Sequence, residues 1–300
     1  MVEVAEQASP GTGKRYSITR VCRVWKVARS NVYFLSAREG ASRPPARRRG
    51  PQGPCSDDEL VKRIRGVVSA SPFQGEGYRK VWARLRHSGT RTSKERVRRL
   101  MREHNLQAPY FPTRRRGNRA HDGTVTTGMP NEMWGTDATA VWTRNDGLVT
   151  VFLAVDHCTS ECVGVHASKV GTRFEALEPL RQGVREHFGG FDGGVATGLT
   201  VRHDHGSQYM SRDFQEELRF LGICSSPSFV AEPQCNGVAE RFVRTLKEQC
   251  LWLHTFEDAE HVRRVLMAFK KTYNATWLVQ KHGHRTPLEA RRHLMKRKAA

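Results

Sequence analysis

Residues 149–155 are Val-Thr-Val-Phe-Leu-Ala-Val, an uninterrupted run of apolar and β-branched residues. The run predicts a strand buried on both faces, because a strand with one solvent-facing side would alternate polar and apolar residues. Two further β-rich stretches flank it, at residues 134–142 and 162–165. Three strands in succession, joined by short connections, predict an antiparallel meander.

The pattern after this meander alternates between helix and strand. Residues 174–188 and 213–221 predict helices, whereas residues 199–203 and 223–225 predict a fourth and a fifth strand. The order β-β-β-α-β-α-β-α is that of the ribonuclease H-like fold. The predicted fold class is therefore α/β, with a ribonuclease H-like mixed five-stranded sheet and flanking helices.

The chain ahead of this sheet has helical periodicity. Residues 18–35 predict two short helices, which is a possible helix-turn-helix, and residues 56–106 predict three helices. The last of these carries five basic residues on its outer face: Lys94, Arg96, Arg98, Arg99 and Arg102. An all-α region of the helix-turn-helix type that binds DNA would have this pattern. The alternative is a three-helix bundle whose basic face is only solvated.

These patterns divide the chain into six segments, separated where Pro, Gly and Arg accumulate. They are a possible N-terminal helix-turn-helix (1–39), a linker (40–55), a helical DNA-binding module (56–106), a basic linker (107–128), a ribonuclease H-like core (129–292) and a basic tail (293–300).

The positive charge is concentrated in the first part of the chain. The formal net charge is +20, and residues 1–125 contain 28 Lys and Arg against 10 Asp and Glu, whereas residues 126–300 contain 22 against 20. A basic half joined to a near-neutral half indicates separate nucleic-acid binding and chemistry. We expect Arg114, Arg115 and Arg116, in the basic linker, to contact DNA.

Three acidic residues stand out in the near-neutral half. Asp137 lies in Met-Trp-Gly-Thr-Asp, Asp204 in Arg-His-Asp-His-Gly-Ser-Gln-Tyr, and Glu240 in Asn-Gly-Val-Ala-Glu-Arg-Phe at the start of a predicted helix. Carboxylate oxygens are the ligands that Mg²⁺ prefers, and two Mg²⁺ ions can activate the attacking and the leaving oxygen of a phosphodiester. The three carboxylates therefore predict a site for divalent metal and nucleic-acid cleavage.

Helical spacing supports the third of these positions. Glu240, Arg244 and Lys247 lie at i, i+4 and i+7 on one face of the predicted helix, and the opposite face is apolar. One face can pack on the protein while the other meets metal and DNA phosphate.

Other clusters favour structural roles. The seven cysteines are scattered without a Cys-x-x-Cys pair, which indicates reduced thiols and makes a zinc site at Cys158, Cys162 and His166 unfavourable. Asp156 is expected to cap a turn. A hydrolase built on His157, His205 and Ser207 would lack the Gly-x-Ser-x-Gly nucleophile elbow. No apolar run is long enough to span a membrane, so we expect a soluble protein.

The three acidic motifs, with 35 residues between Asp204 and Glu240, resemble the D-D-35-E core of retroviral integrases and bacterial insertion-sequence transposases. The chain from about residue 18 to 292 is more closely similar to the OrfB product of the IS-three family of insertion sequences. That likeness includes the basic helical module and a terminal Thr-Pro-Leu-Glu-Ala at residues 286–290.

The resemblance implies a DNA transposase that cleaves and joins element ends. It implies that Asp137, Asp204 and Glu240 hold two Mg²⁺ ions, for which Mn²⁺ can substitute, and that Lys247 contacts element-end DNA, with Arg244 beside it. The implied partners are element-end and target DNA, an upstream OrfA product or a fusion with it, and further copies of the chain in a homodimer or larger assembly. No membrane is involved, and the expected location is the cytoplasm, at the bacterial nucleoid.

Two departures and two alternatives stay open. His203 precedes Asp204 where such proteins often have Ser or Thr, and the ring could tune the site or pack. Residues 275–284 differ from the more common Arg-Pro-His form. The chain could also be a non-catalytic DNA-binding regulator derived from a transposase, or a plain nuclease of the same fold.

Overall fold

The computed structural model describes residues 2–39, 55–109, 127–228 and 236–299. The chain divides into two compact units, residues 1–52 and 53–300. The first unit contains α1 (Val2–Glu6), α2 (Ile18–Val24) and α3 (Arg29–Glu39). The Ser17 hydroxyl caps α2 by accepting from the Arg20 amide, and Val21, Cys22 and Val32 are the buried apolar residues described in this unit.

The second unit begins with a three-helix module, α4 (Asp57–Ala70), α5 (Tyr78–His87) and α6 (Lys94–Glu103). The N-cap residues of the three helices are Ser56, Gly77 and Ser93, and the hydroxyl of each serine accepts a hydrogen bond from an amide in the first turn of its helix. Apolar residues at helical spacing meet in one buried cluster that includes Leu60, Ile64 and Leu85. The three helices therefore pack on one another around a shared apolar core.

A five-stranded mixed sheet follows the module. Its strands are β1 (Met133–Thr143), β2 (Gly147–Asp156), β3 (Cys162–Ser168), β4 (Thr200–His203) and β5 (Cys224–Pro227). The spatial order is β3-β2-β1-β4-β5; the first three pair antiparallel, and β4 and β5 are parallel to β1. The ribonuclease H-like sheet, the meander and the doubly buried run at residues 149–155 are thus confirmed.

Helices cover both faces of the sheet. They are α7 (Arg173–Phe188), α8 (Ser207–Met210), α9 (Arg212–Phe220), α10 (Gly237–Gln249), α11 (Ala259–Thr276) and α12 (Pro287–Ala299). One buried cluster joins the sheet to α10 and α11, and a second joins the opposite face to α7 and α9. Asp137 and Gly135 alternate with Trp134, so they point to the α10 side while Trp134 is buried on the α7 side.

The helical module packs directly on the sheet domain through residues 71–77. Phe73 is buried in the cluster of α10 and α11, with its ring edge-on to Trp277 at 4.8 Å between centroids. The Gln74 amide donates to Gln249 Oε1, and Gln249 Nε2 donates back to the Gln74 carbonyl. Arg84 from α5 donates to the Thr276 carbonyl. The module and the sheet domain are therefore parts of one folded unit.

Strand β3 lies against α7 at a glycine. A Cβ atom on Gly164 would lie 2.0 Å from the carbonyl oxygen of Pro179, which belongs to the backbone and cannot rotate away. One turn later Gly183 leaves room for the Trp134 ring in the same way. The close approach of α7 to the sheet thus depends on both glycines.

We expect Gly164→Ala to lower the free energy of unfolding by about 1–3 kcal/mol, because the added methyl forces α7 away from β3. Urea unfolding would measure the change. Gly66→Ala is the matched control: Gly66 is exposed within α4 and its Cβ would meet nothing within 4 Å. That control should be neutral or stabilising, and an equal loss in both variants would contradict the packing argument.

Candidate active site

The sheet brings the first two carboxylates to the same level. Strands β1 and β4 pair in parallel, with Met133 opposite Thr200 and Gly135 opposite Arg202. Continuing this register by two residues places Asp137 beside Asp204, where β4 has just ended. The predicted proximity of these two side chains therefore follows from the parallel pairing.

Local hydrogen bonds shape the loop that carries Asp204. Its Oδ1 accepts from the Gly206 amide at 2.8 Å, which closes a tight turn before α8. A Cβ on Gly206 would lie 2.9 Å from the same oxygen and 2.6 Å from Gln208 Nε2. Only glycine fits this approach without moving the carboxylate.

His203 supports this loop from inside. Its Nδ1 lies 2.7 Å from the Asp204 carbonyl oxygen, and its Nε2 lies 2.9 Å from the Ser225 hydroxyl on β5. Since a carbonyl can only accept, Nδ1 carries the proton and Nε2 accepts from Ser225. The buried ring also stacks on Tyr209 and contacts Phe214 edge-on. Of the two roles left open by the sequence, the contacts of His203 are those of packing.

Glu240 lies in the first turn of α10. Ala239, Phe242 and Leu246 are buried against the sheet, whereas Glu240 and Arg244 are exposed. The two faces predicted for this helix are thus separated as expected, and Phe242 adds to the buried one. Lys247 is half-buried on the same side as Glu240.

The charges of Asp204, Glu240 and Lys247 all act on the Asp137 carboxylate. The pKa of Asp137 is raised from 3.8 to about 6, first by burial, then by the charges of Asp204 and Glu240, while Lys247 lowers it. The Asp137 side chain accepts one hydrogen bond, from the Ala138 amide at 2.8 Å. A half-buried carboxylate facing two others and a single lysine is a site where a divalent cation would relieve repulsion.

The donor set fits a hard divalent cation. All three side chains supply carboxylate oxygens, and burial together with the charges of Asp204 and Glu240 disfavours the ionised form of Asp137 by raising its pKa. Within the described residues, the oxygens of the three carboxylates do not all come within 4.8 Å of one another.

The raised pKa of Asp137 predicts a stability cost in the metal-free protein. The folded state binds the proton more tightly than the unfolded state, so stability falls as pH rises from about 4 to about 6. We expect Asp137→Asn to be more stable than wild type by about 2 kcal/mol at pH 7.5, with roughly two thirds of that difference gone at pH 4.5. Urea unfolding in EDTA at both pH values measures this, and a difference independent of pH would contradict it.

The basic residues predicted on α6 divide into two groups. Arg96 and Arg99 donate to Asp57 at the start of α4, and Arg99 also pairs with Glu103. These pairs hold the pKa of Asp57 near 2 and raise that of Arg99. Both arginines thus join helices within the module, whereas Lys94, Arg98 and Arg102 are exposed.

The other predicted DNA contacts are Arg244 and the three arginines at 114–116. Arg244 is exposed and pairs with Glu248 at 2.7 Å. Arg114, Arg115 and Arg116 lie outside the described residues. For these positions, DNA contact stays a prediction.

Residues that the sequence analysis assigned to structural roles have structural partners. Asp156 accepts from the amide and hydroxyl of Thr159 and from the Asn131 amide, which is the predicted turn capping. His166 pairs with Glu175. The described residues contain one other group of possible metal ligands: Glu161, Glu186 and His187. Arg291 and Lys270 already pair with its two glutamates, so that group forms an ion-pair network.

Two residues near the carboxylates were not identified as site residues from the sequence. Asn236 Nδ2 donates to the carbonyl oxygen of Thr136, the residue before Asp137, at 2.9 Å. His157 lies next to the Asn236 amide and is almost fully buried. The signal that existed was an asparagine directly before a glycine at a predicted helix start, one turn before Glu240.

Comparisons with known proteins agree with this architecture. Residues 56–116 match a family model described as an HTH-like domain, and residues 128–233 and 221–287 match two models, each described as an integrase core domain. The chain is 26% identical over 281 residues to the transposase InsD for insertion element IS2A/D/F/H/I/K of Escherichia coli, covering 91% of this chain and 90% of that protein. It is also 26% identical over 292 residues to the insertion element IS2A uncharacterized 48.2 kDa protein of Escherichia coli, covering 95% and 67%.

Two of the solved structures that align with the chain are viral, and both alignments have TM-scores below 0.5. The simian T-cell lymphotropic virus intasome in complex with PP2A regulatory subunit B56 gamma aligns with a TM-score of 0.46 at 18% identity, over 79% of this chain and 74% of that one. The HTLV-2 integrase catalytic core domain in complex with magnesium aligns with a TM-score of 0.39 at 17% identity, over 54% and 97%.

The integrase core matches span the sheet and all three carboxylates, and the HTH-like match spans the helical module ahead of them. A relative that aligns with nine-tenths of the chain is a transposase. The chain therefore has an HTH-like domain ahead of an integrase core, and it is similar along most of its length to insertion-element transposases.

Proposed function

We propose that this chain is a transposase that cleaves the ends of its insertion element and joins the exposed 3′-hydroxyl groups to a new DNA strand in a Mg²⁺-dependent reaction. The observation that carries this proposal is that Asp137, on the central strand β1, interacts electrostatically with Asp204, Glu240 and Lys247, where β4 ends beside β1. The transposase relatives and the integrase core matches support the same reaction class.

Asp137, Asp204 and Glu240 would hold the metal, as two Mg²⁺ ions or two Mn²⁺ ions. When bound, the metal would activate the attacking oxygen and stabilise the leaving oxygen of the phosphodiester. The chain's own contribution is to hold three carboxylates at fixed positions on a strand, a loop and a helix. Since the pKa of Asp137 is about 6, the metal-free site takes up a proton below neutral pH.

Lys247 would place its ammonium near the DNA phosphate that approaches the carboxylates, because it lies on the exposed side of α10 with Glu240. Lys94, Arg98 and Arg102 on α6 would bind the phosphate backbone of the element end, with Arg244 and the arginines at 114–116 adding charge. Such contacts release counterions, so DNA affinity should fall steeply with salt.

Synapsis of two element ends requires more than one copy of the active site. We propose a homodimer or larger assembly on DNA, and an upstream OrfA product, separate or fused, as a further partner. Among the described helices, none combines the length and the hydropathy that a membrane span needs.

The decisive experiment uses DNA that carries the ends of the chain's own element, with a labelled 3′-strand and a supercoiled target. The protein, alone and fused to any upstream reading frame, is incubated with Mg²⁺, Mn²⁺ or EDTA. Metal-dependent nicking followed by joined products would support the transposase. Nicks without joining would favour the plain nuclease, and binding without cleavage from either form would favour the non-catalytic regulator.

A further inference from the structure

Asn236 occupies the N-cap position of α10, but its side chain does not cap the helix. Asparagine at this position usually accepts from an amide two or three residues later. Here no such hydrogen bond forms, and Nδ2 instead donates to the Thr136 carbonyl on β1 at 2.9 Å. The buried Asn236 side chain thus joins the start of α10 to β1 and does not cap the helix.

The rest of the amide faces His157. Since a carbonyl accepts, the Thr136 contact fixes which end of the amide is nitrogen and leaves Oδ1 on the side of His157 Nε2. Burial lowers the pKa of His157 to about 4, so the ring is neutral at pH 7. Oδ1 and both ring nitrogens of His157 are buried and form no hydrogen bond with the described residues, so the amide oxygen and the ring lie side by side without being bonded to each other.

The two side chains share the space above Gly135. A Cβ on Gly135 would lie 2.6 Å from Asn236 Oδ1 and 2.6 Å from His157 Nε2. Gly135 lies on the same face of β1 as Asp137, two residues away. The missing side chain at Gly135 therefore gives the amide and the imidazole room beside the carboxylate.

His157 is itself held on both sides by backbone contacts. Its amide donates to the Met133 carbonyl on β1 at 2.9 Å, and its carbonyl accepts from Lys281 Nζ at 2.7 Å. These two contacts hold the backbone of His157 next to β1. Asn236 is anchored to β1 by the Thr136 carbonyl and packs beside His157, whose backbone is itself bound to β1.

Glu240 lies one helical turn after Asn236, about 6 Å along the axis at 1.5 Å per residue. A helix anchored at its first residue carries the side chain of the next turn to a defined place. We propose that Asn236, supported by His157 and Gly135, is a positioning residue that sets Glu240 against Asp137 for metal binding. This inference rests on the proposed function of the carboxylates.

The test is Asn236→Ser in the full chain. Serine caps helices as well as asparagine but is too short to reach Thr136. We expect Mn²⁺ to bind the DNA-free protein about 10 to 100 times more weakly by titration calorimetry, with a similar rise in the Mg²⁺ concentration for half-maximal cleavage. Hydrogen exchange of amides 240–243 should become faster, while DNA affinity stays unchanged.

Asn236→Asp is the second variant, because it has the same size, caps helices and lacks only the Nδ2 donor. It should also weaken Mn²⁺ binding, although it adds a carboxylate. Asn145→Ser, at an exposed asparagine in the β1–β2 turn, is the control and should match wild type in every measurement.

These measurements distinguish a failure of the positioning role of Asn236 from a failure of the proposed function. Wild-type exchange rates at 240–243 in Asn236→Ser, or wild-type Mn²⁺ affinity in either variant, would overturn the positioning role. An equal loss of thermal stability, DNA binding and metal binding would also overturn it, since the residue would then be merely structural. A wild-type protein that neither binds metal nor cleaves would refute the proposed function, and the positioning role with it.

Discussion

Replacing Asp204 with Asn is expected to reduce metal-dependent cleavage of element-end DNA by at least about 1000-fold, because a lost metal ligand removes several kcal/mol of transition-state stabilisation. Asn keeps the size of the side chain and its oxygen can still accept from the Gly206 amide, so the turn before α8 should survive. Glu240→Gln should have the same effect from α10. Single-turnover cleavage of labelled ends measures both.

DNA binding separates this expectation from general damage. Removal of a negative charge leaves or strengthens affinity for DNA, so a filter-binding or anisotropy titration should show no loss in either variant. Asp192→Asn, at an exposed carboxylate in the loop before β4, is the matched control and should cleave normally. Cleavage by Asp204→Asn at the wild-type rate would rule out the carboxylate site.

Replacing Phe73 with Ala should lower the free energy of unfolding by about 3–5 kcal/mol, as expected for truncation of a buried aromatic ring. Phe73 is 5% exposed and packs against Phe269 and Trp277, although it lies in the segment between α4 and α5. Its loss therefore removes the main apolar contact between the helical module and the sheet domain. Urea unfolding, followed by tryptophan fluorescence and circular dichroism, measures the change.

The shape of the unfolding transition tests the contact between the helical module and the sheet domain. In wild type the two probes should report one transition, whereas in Phe73→Ala the module and the sheet domain should begin to unfold separately. Phe174→Ala, at a half-exposed phenylalanine on α7, is the control and should cost much less. A single unshifted transition in Phe73→Ala would show that the remaining contacts, such as the hydrogen bonds of Gln74 and Arg84 and the Trp82–His284 ring contact, hold the module in place.

A module joined in this way affects how DNA is handled. The exposed residues Lys94, Arg98 and Arg102 are on α6, in the helical module that Phe73 joins to the sheet domain carrying the carboxylates. We therefore expect Phe73→Ala to bind isolated end DNA nearly as well as wild type but to cleave it less efficiently, since binding would no longer fix the scissile phosphate relative to Asp137.

Much of the fold could be predicted because its signals are local. The run at 149–155, the alternating strands around it and the serines before α4 and α6 set their own secondary structure through periodicity and capping. The acidic motifs were also local, and each could be recognised from its neighbours in sequence. The parallel register of β1 with β4, which brings Asp137 and Asp204 to the same level, came from the structure.

Contacts between residues far apart in sequence could not be predicted in this way. On α6, five basic residues looked alike, yet Arg96 and Arg99 bind Asp57 about 40 residues earlier, which only the packing of the helices decides. Phe73 had the sequence context of a loop, but it is buried against α11, nearly 200 residues later.

Asn236 has one role that local sequence sets and another that only the tertiary structure sets. The sequence by itself determined that α10 begins near this residue and carries Glu240 on its polar face, because helix starts and faces depend on neighbours within a few positions. Only the tertiary structure decided that the amide turns away from its own helix to the Thr136 carbonyl, 100 residues earlier. A hydrogen-bonding side chain satisfies whichever buried partner folding brings within 3 Å, and periodicity along the chain does not encode that distance.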